Sequence, residues 1–463
     1  MEQITLGNLL EAVHGTLLEG HQDMNTPISI VDTDSRTIHE GSLFLPLVGE
    51  HFDGHTYLDA ALVSGAAGCL TAHERTEYRP DKFYVKVEDT ELALRDLAVW
   101  YKDRFHIPFI GVTGSVGKTT AKDMIAAVLG VKYKVLKTDG NFNNNVGMPL
   151  TILRLNRDHQ VCVLEMGMDK PGEIDYLAGA VRPDIGVITN IGDAHIERLG
   201  SRENIFKAKC ELLPHIRKDG LLILNGDDDM LPTLRGKTEM DTVFCGKGED
   251  LDYSARLLGG DGISHILCQV KTPKMDRQVK IPALGEHMIY PTLIAAAVAE
   301  RLGLSGNEIA EGLTQFVPTR MRMNILRRAG QITILDDTYN ANPQSVRAAI
   351  SVLADGPRRW KAAVLGDMLE LGPFAPGLHS GVGEYLGTAG IDCLVAVGEM
   401  ARYIAEGARK AGVPQVYYCT DKGKAKEILP QIVKPDSAIL VKASRGMKLE
   451  ELTEKLMELT EKE

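Results

Sequence analysis

Residues 109–120 read FIGVTGSVGKTT, an apolar run meeting a glycine-rich turn that is closed by Lys118, Thr119 and Thr120. Gly111, Gly114 and Gly117 permit a tight turn whose backbone N–H groups, from Gly114 through Ser115, Val116 and Gly117 to Thr120, converge on an anion. The chemistry is that of a nucleotide-phosphate cradle. Phe109 to Val112 is expected as a buried parallel strand. Thr119 is expected to open a helix through Ala121, Met124, Ile125 and Val128, its positive dipole end facing the phosphates. Lys118 supplies a point charge for the terminal phosphates, and the Thr119 hydroxyl is the usual Mg²⁺ ligand in such loops. The common pattern places glycine where this chain has Val112, so the loop is a shortened relative of that cradle.

Further polar residues fall where strands should end, the usual place of ligand sites in open α/β sheets. VLEMGMD puts Glu165 at the end of one apolar run, and VITNIGDAHIERLG puts Asn190, Asp193 and His195 just beyond the next. A carboxylate and an imidazole on adjacent strand ends, near Thr119, can complete a Mg²⁺ site with the nucleotide. NFNNNVGMPLT at 141–151 has the composition of an irregular loop making directed hydrogen bonds. DDTYNANPQS at 336–345 follows another apolar run and offers Asp337, Tyr339, Asn340 and Asn342 as a ligand wall. Lys209, in ENIFKAKCELL, reads by itself as a solvated helix lysine.

The elements that must position these groups follow from texture and length. A chain of 463 residues with 44% hydrophobic content suits about three globular domains. Residues 1–104 mix short strands (28–31, 68–71, 83–87) with helices, the last at 91–105, and read as a small α/β recognition module. Residues 105–316 alternate strands (161–165, 185–190, 221–225) with helices, which predicts a parallel doubly wound sheet around the cradle. Pro318 is the expected hinge. Residues 317–463 carry strands at 332–336, 362–366, 394–398 and 439–442, with helices near 343–354, 401–411 and 422–432. This is a second, Rossmann-like layer lacking GxGxxG, so dinucleotide binding is not expected. The closing segment LEELTEKLMELTEKE reads as a charged amphipathic helix. The fold class is therefore α/β in three domains.

The net charge of −11 disfavours a nucleic-acid partner held by bulk electrostatics. Seven scattered cysteines without a CxxC pair suit free thiols in a reducing cytoplasm. Runs of about 18 apolar residues, as membrane insertion needs, are absent, and the N-terminal MEQITLGNLLEAVHG is amphipathic rather than a signal peptide. A cytoplasmic monomer is expected.

TGSVGKTT, NNNVGMPLT, EMG, NIGDAHIERLGS, KAKCEL, DDTYNANPQS and GDMLELG, taken in order, resemble the Mur ligase family of ATP-dependent amide-forming enzymes. DDTYNANP and GDMLELG resemble in particular the branch that joins D-alanyl-D-alanine to a UDP-N-acetylmuramoyl-tripeptide, and DTDSRTIHEGSLFLPLVGEHFDGH at 32–55 is similar to that branch's UDP-substrate domain. The match spans nearly the whole chain. The resemblance implies three domains, with ATP and Mg²⁺ as cofactors. It further implies an acyl phosphate on the tripeptide carboxylate that is attacked by the dipeptide amine, giving the UDP-MurNAc-pentapeptide precursor of peptidoglycan.

On that resemblance Lys118 and the 114–120 backbone hold the β/γ phosphates, while Thr119, Glu165 and His195 serve Mg²⁺. Lys209 matches a lysine that can be carbamylated and then hold a second Mg²⁺. Asn145 matches a position near the transferred phosphate, Arg320 an inter-domain arginine reaching the γ-phosphate, and Asp337 the ribose contact. GEHMIYPT supplies Gly285 and His287 of the family's adenine run but has Met288 and Pro291 where asparagine is usual, so backbone or apolar contacts replace the amides. Ser35, Arg36 and His55 resemble positions facing the UDP-sugar peptide. Tyr339, Asn340 and Asn342 would line the substrate side, and Ser444 and Arg445 resemble the region receiving the dipeptide. The alternatives are another ligase of the same superfamily, adding the third peptide residue or glutamate to folates, and a non-ligase P-loop kinase or NTPase. Catalysis is expected to require closure, with Arg320 and Asp337 held away from Lys118 in the unliganded chain.

Overall fold

In the computed structural model, the described residues are 1–49 and 51–461. Glu50, inside the 32–55 segment, and Lys462 and Glu463, at the end of the terminal amphipathic segment, lie outside them.

The central sheet is built outward from the strand Phe109–Thr113, all five of whose residues are buried. Parallel strands need cover on both faces, so they read as continuous apolar runs instead of alternating ones. Val161–Glu165 and Ile185–Ile188 flank Phe109–Thr113 in parallel register, with Val163 and Val187 beside Ile110 and Val112. The helices Lys118–Leu129 and Ile289–Arg301 cover one face, burying Met124, Ile125, Val128, Leu293 and Ala296 against Ile110, Val112 and Val163. Each fully buried aliphatic side chain here contributes about 1.5–3 kcal/mol of transfer free energy. Helix Gly306–Thr314 approaches so closely that a Cβ on Gly312 would sit 2.4 Å from the Val128 Cα, which fixes the cradle helix from its far side.

The sheet has nine strands, and it departs from the expected all-parallel order at one edge. Tyr253–Gly260, Ile266–Thr272 and Met275–Ile281 form an antiparallel meander. Thr272 pairs with Met275 across a two-residue turn, too short for a parallel crossover.

Residues 317–461 form a six-stranded sheet in which Ile332–Asp336, Ser437–Lys442, Trp360–Gly366, Cys393–Val397 and Gln415–Cys419 run parallel and Asn324–Arg328 adds an antiparallel edge. The N-terminal part carries a five-stranded sheet of very short strands. The single strand expected at 28–31 is split. Pro27–Ile28 pairs with Ile4–Thr5, whereas Val31–Asp32 joins the five-stranded sheet beside Leu43–Phe44.

The linker after helix Gly306–Thr314 is tied down. Thr319 hydrogen-bonds the Asp123 carboxylate on the cradle helix, and that carboxylate also pairs with Lys137 at 2.7 Å and Lys122 at 3.3 Å. The result is a cleft of about 600 Å³ lined by both the cradle and the C-terminal sheet. Asp337 and Lys118 both line this cleft, Asp337 from the C-terminal sheet and Lys118 from the cradle, whereas Arg320 is not among its lining residues.

Candidate active site

The cradle is held by its neighbouring strand end. Asn190 grips Val116 twice, its Oδ1 accepting from the Val116 N–H at 2.9 Å and its Nδ2 donating to the Val116 carbonyl at 2.9 Å. Thr189 adds a bond to the same carbonyl at 2.6 Å, and Ser115 Oγ accepts from the Gly192 N–H at 2.8 Å. Gly114 has φ +145° and packs so tightly that a Cβ would lie 1.9 Å from Thr189 Oγ1, so only glycine fits. Gly117 has φ +82° and faces open space, and the helix begins at Lys118, one residue earlier than expected. Ser115, Val116, Gly117, Lys118, Thr119 and Thr120 all line the cleft. Lys118 Nζ donates to the Gly114 carbonyl at 2.8 Å, and desolvation lowers its pKa against the opposing pull of Glu165.

Glu165 is 3% exposed. Its Oε1 accepts from Asn143 Nδ2 at 2.9 Å, and its Oε2 is buried without a hydrogen-bond partner among the described residues. A half-satisfied carboxylate lining the same cleft as the Thr119 hydroxyl is a donor set that suits a hard divalent cation. His195 also lines the cleft, with Nδ1 2.8 Å from Glu370 and 3.1 Å from Asp169. These are contact distances without a directed hydrogen bond, since the Nδ1–H is not aimed at either oxygen. That contact lowers the Glu370 pKa. Lys209 is not the solvated lysine that its helix suggested. It is 2% exposed, and burial first and Lys118 second drive its pKa well below the ordinary lysine value.

Across the cleft, Asp337, Tyr339, Asn340 and Asn342 line the wall contributed by the C-terminal sheet. Asp337 Oδ2 accepts from the buried Lys442 at 2.6 Å, Oδ1 takes the Met323 N–H at 3.1 Å, and Lys442 also donates to the Asn340 carbonyl at 2.8 Å. Asn342 caps the helix Pro343–Asp355. The arginine aimed at the phosphate side is Arg322, whereas Arg320 is exposed and lies outside the cleft lining. Arg322 donates to Thr119 Oγ1 at 3.0 Å and lies 4.0 Å above the Tyr339 ring. The left-handed backbone of Met321 (φ +63°) and Met323 (φ +52°) turns these side chains in a way no sequence spacing encodes.

Asn145 donates to Glu91 at 3.2 Å, and Glu91 brings the N-terminal part to the cleft rim. His287 lines the cleft with an exposed ring, beside Ala283, Leu284, Met288 and Phe316, an apolar surface at the place where amide contacts are missing. Ser35, Arg36, His55, Ser444 and Arg445 are not brought into this cleft. Arg36 pairs with Asp34 at the surface. His55 has both ring nitrogens engaged, Nδ1 with Asp53 at 2.7 Å and Nε2 with the Ala72 N–H at 2.9 Å. Ser444 is consumed by Leu369 N–H and the Ala341 carbonyl, and Arg445 pairs with Glu450. All seven cysteines are free thiols, and no helix among the described residues is long and apolar enough to cross a membrane.

Known proteins with these features agree with one another. Residues 112–299 match the Mur ligase middle domain, and residues 321–445 match the Mur ligase glutamate ligase domain. The chain is 38% identical over 458 residues to the UDP-N-acetylmuramoyl-tripeptide–D-alanyl-D-alanine ligase of Bacillus subtilis, covering 98% of each chain. It is 32% identical to the Escherichia coli protein of the same name, covering 99% of each. Among solved structures it superposes on MurF from Acinetobacter baumannii with a TM-score of 0.91 at 33% identity, over 99% of both chains. On MurF ligase from Thermotoga maritima in complex with ADP the TM-score is 0.83 at 29% identity, over 93% of this chain and 97% of that one. A glycine-rich cradle, a half-satisfied carboxylate and a buried lysine thus sit in a chain whose relatives match it end to end, and the chain belongs to the Mur ligase family.

Proposed function

We propose that this chain is the ATP-dependent ligase that joins D-alanyl-D-alanine to UDP-N-acetylmuramoyl-tripeptide and so makes the pentapeptide precursor of peptidoglycan. The observation that carries the reading is the single cleft in which the cradle, Glu165 and the Asp337–Asn342 wall meet. A phosphate held by the backbone of 115–120 and by Lys118 is positioned for transfer, and phosphoryl transfer needs mainly positioning and charge neutralisation. A terminal carboxylate oxygen of the tripeptide attacks the γ-phosphorus, and ADP leaves. The dipeptide amine then attacks the acyl carbon of that acyl phosphate, phosphate leaves, and the amine gives up a proton.

Arg322, rather than Arg320, is the arginine whose guanidinium faces the developing charge, since it already reaches Thr119. Asn145 orients the transferred group, and Asp337, braced by Lys442, receives the ribose hydroxyls. Adenine lies on the apolar surface formed by Ala283, Leu284, Met288 and Phe316. Thr119, Glu165 and His195 are the residues that would hold Mg²⁺, and Lys209, if carbamylated, would hold a second Mg²⁺. Mg²⁺ in that position neutralises phosphate charge.

Residues 1–104 take the UDP-sugar peptide, with Ser35, Arg36 and the His55 region facing it. Residues 105–316 take ATP. Residues 317–463 close over the nucleotide and receive the dipeptide near Ser444 and Arg445. We place the enzyme in the cytoplasm as a monomer. The test is phosphate release from ATP in the presence of the UDP-tripeptide, with and without D-alanyl-D-alanine. Release that depends on both supports the ligase, and release that needs neither identifies a nucleotide switch instead.

A further inference from the structure

We propose that Glu370 is a positioning residue for His195. Through it, the C-terminal sheet sets the orientation of an imidazole on the cation side of the cleft. The inference rests on the ligase reading above.

Three carbonyl-bearing or imidazole side chains from separate loops converge. Asp169 follows the strand Val161–Glu165, His195 precedes the short helix Ile196–Leu199, and Glu370 follows the strand Trp360–Gly366 of the other sheet. Glu370 Oε2 lies 2.8 Å from His195 Nδ1, nearer than Asp169 Oδ1 at 3.1 Å. Asp169 is also shared with Arg198, whose Nη1 lies 3.1 Å from Oδ2. The Glu370 carboxylate has His195 as its only ion-pair partner among the described residues. A metal-bound histidine commonly presents its second ring nitrogen to a carboxylate, and here Glu370 and Asp169 stand at ion-pair distance from Nδ1 without a directed hydrogen bond. With both carboxylates gathered at Nδ1, Nε2 is the nitrogen left for a cation.

The backbone around the contact is built to deliver it. His195 and Glu370 both have left-handed φ values, +62° and +63°, which a histidine and a glutamate adopt only when their surroundings impose it. The Glu197 N–H reaches the Glu370 carbonyl at 3.4 Å, a main-chain bond from one sheet's loop to the other's. Gly372 follows with φ +50°, and a Cβ there would stand 2.9 Å from Glu197 Cγ. The two loops therefore touch through side chains, main chain and a glycine at once. Glu370 reaches the imidazole from the C-terminal sheet, so this side of the cation site is built from both sheets.

The test uses the full chain with Mn²⁺ and a non-hydrolysable ATP analogue, and free Mn²⁺ is counted by electron paramagnetic resonance. Glu370→Ala is expected to weaken Mn²⁺ binding to the analogue complex by about 10-fold. Glu370→Gln, which keeps the size but not the charge, is expected to recover little of that loss, because the contact is an ion pair without a directed hydrogen bond. The melting temperature and the metal-free affinity for the analogue should stay at wild-type values in both, a pattern that a merely structural role would not give. Mn²⁺ affinity in Glu370→Ala equal to wild type overturns the proposal while leaving the ligase reading in place. Failure of the wild-type chain itself to take up Mn²⁺ with the analogue overturns both.

Discussion

The two walls of the cleft are made differently. The cradle wall is one contiguous stretch, Gly114 to Thr120, braced by Thr189, Asn190 and Gly192 of the neighbouring strand end within the same sheet. The opposite wall is assembled from Arg322, Asp337, Tyr339 and Lys442, which come from three separate segments of a second sheet. The first wall is preorganised whatever the second sheet does. The second has its geometry only through docking, by Thr319 on Asp123, Arg322 on Thr119 and Glu370 on His195. On the proposed ligase reading, phosphate binding and phosphate transfer belong to different walls, and the two can be separated by experiment.

That separation can be broken at either side. Lys118→Ala and Arg322→Ala should each lower kcat/KM by about 10³. The lysine variant should also lose affinity for an ATP analogue in equilibrium binding, whereas the arginine variant keeps it. Equal loss of analogue affinity in both would erase the distinction between the walls.

Lys209 sharpens the cradle side through stability. Burial holds its folded pKa below the unfolded one, so between those two values the unfolded state binds more protons than the folded state. Folding stability then rises with pH from the depressed folded pKa up to the unfolded lysine value near 10.4, with a slope of about 1.4 kcal/mol per pH unit. Lys209→Met should melt at a higher temperature than wild type at neutral pH in CO₂-free buffer, with a shallower pH slope and no ligase activity. A variant that melts lower would show that the amine is charged and paired.

On the second wall, Lys442→Met leaves Asp337 without its buried counter-charge. It should raise the KM for ATP by about 10-fold while changing the KM for the UDP-tripeptide little. The smallest effect is expected at Arg320. Arg320→Ala should keep kcat/KM within about twofold of wild type, because an exposed side chain outside the cleft contributes little. A loss comparable to that of Arg322→Ala would restore Arg320 as the phosphate-facing arginine.

The same asymmetry decides what sequence could say. The cradle was legible because its physics is local: an apolar strand, glycines where φ is positive and a helix start all lie within a dozen residues. Strands such as Val161–Glu165, Leu221–Asn225 and Ile332–Asp336 stood out for the same reason, as short apolar runs ending in a polar residue. The antiparallel meander at 253–281 did not stand out, because it is set by a two-residue turn and not by composition. The choice between Arg320 and Arg322 depended on two methionines in left-handed conformations, and the burial of Lys209 on packing from distant segments. His55 was placed by position alone, and its ring bridges Asp53 and the Ala72 main chain, a bracing that the sequence does not reveal.

If the C-terminal sheet turns about the bond from Thr319 to Asp123, that pivot lies close to the cradle. Asp123 lies four residues beyond Thr119 on the same helix, about 6 Å along its axis at 1.5 Å per residue. A sheet rotating about such a fulcrum moves its near rim, where Arg322 sits, through a short arc and its far strand, Gln415–Cys419, through a long one. Ångström-scale adjustment at the transferred phosphate is therefore geared to a large swing at the remote edge. A distance label on exposed Tyr418 would read the reacting geometry as through a lever.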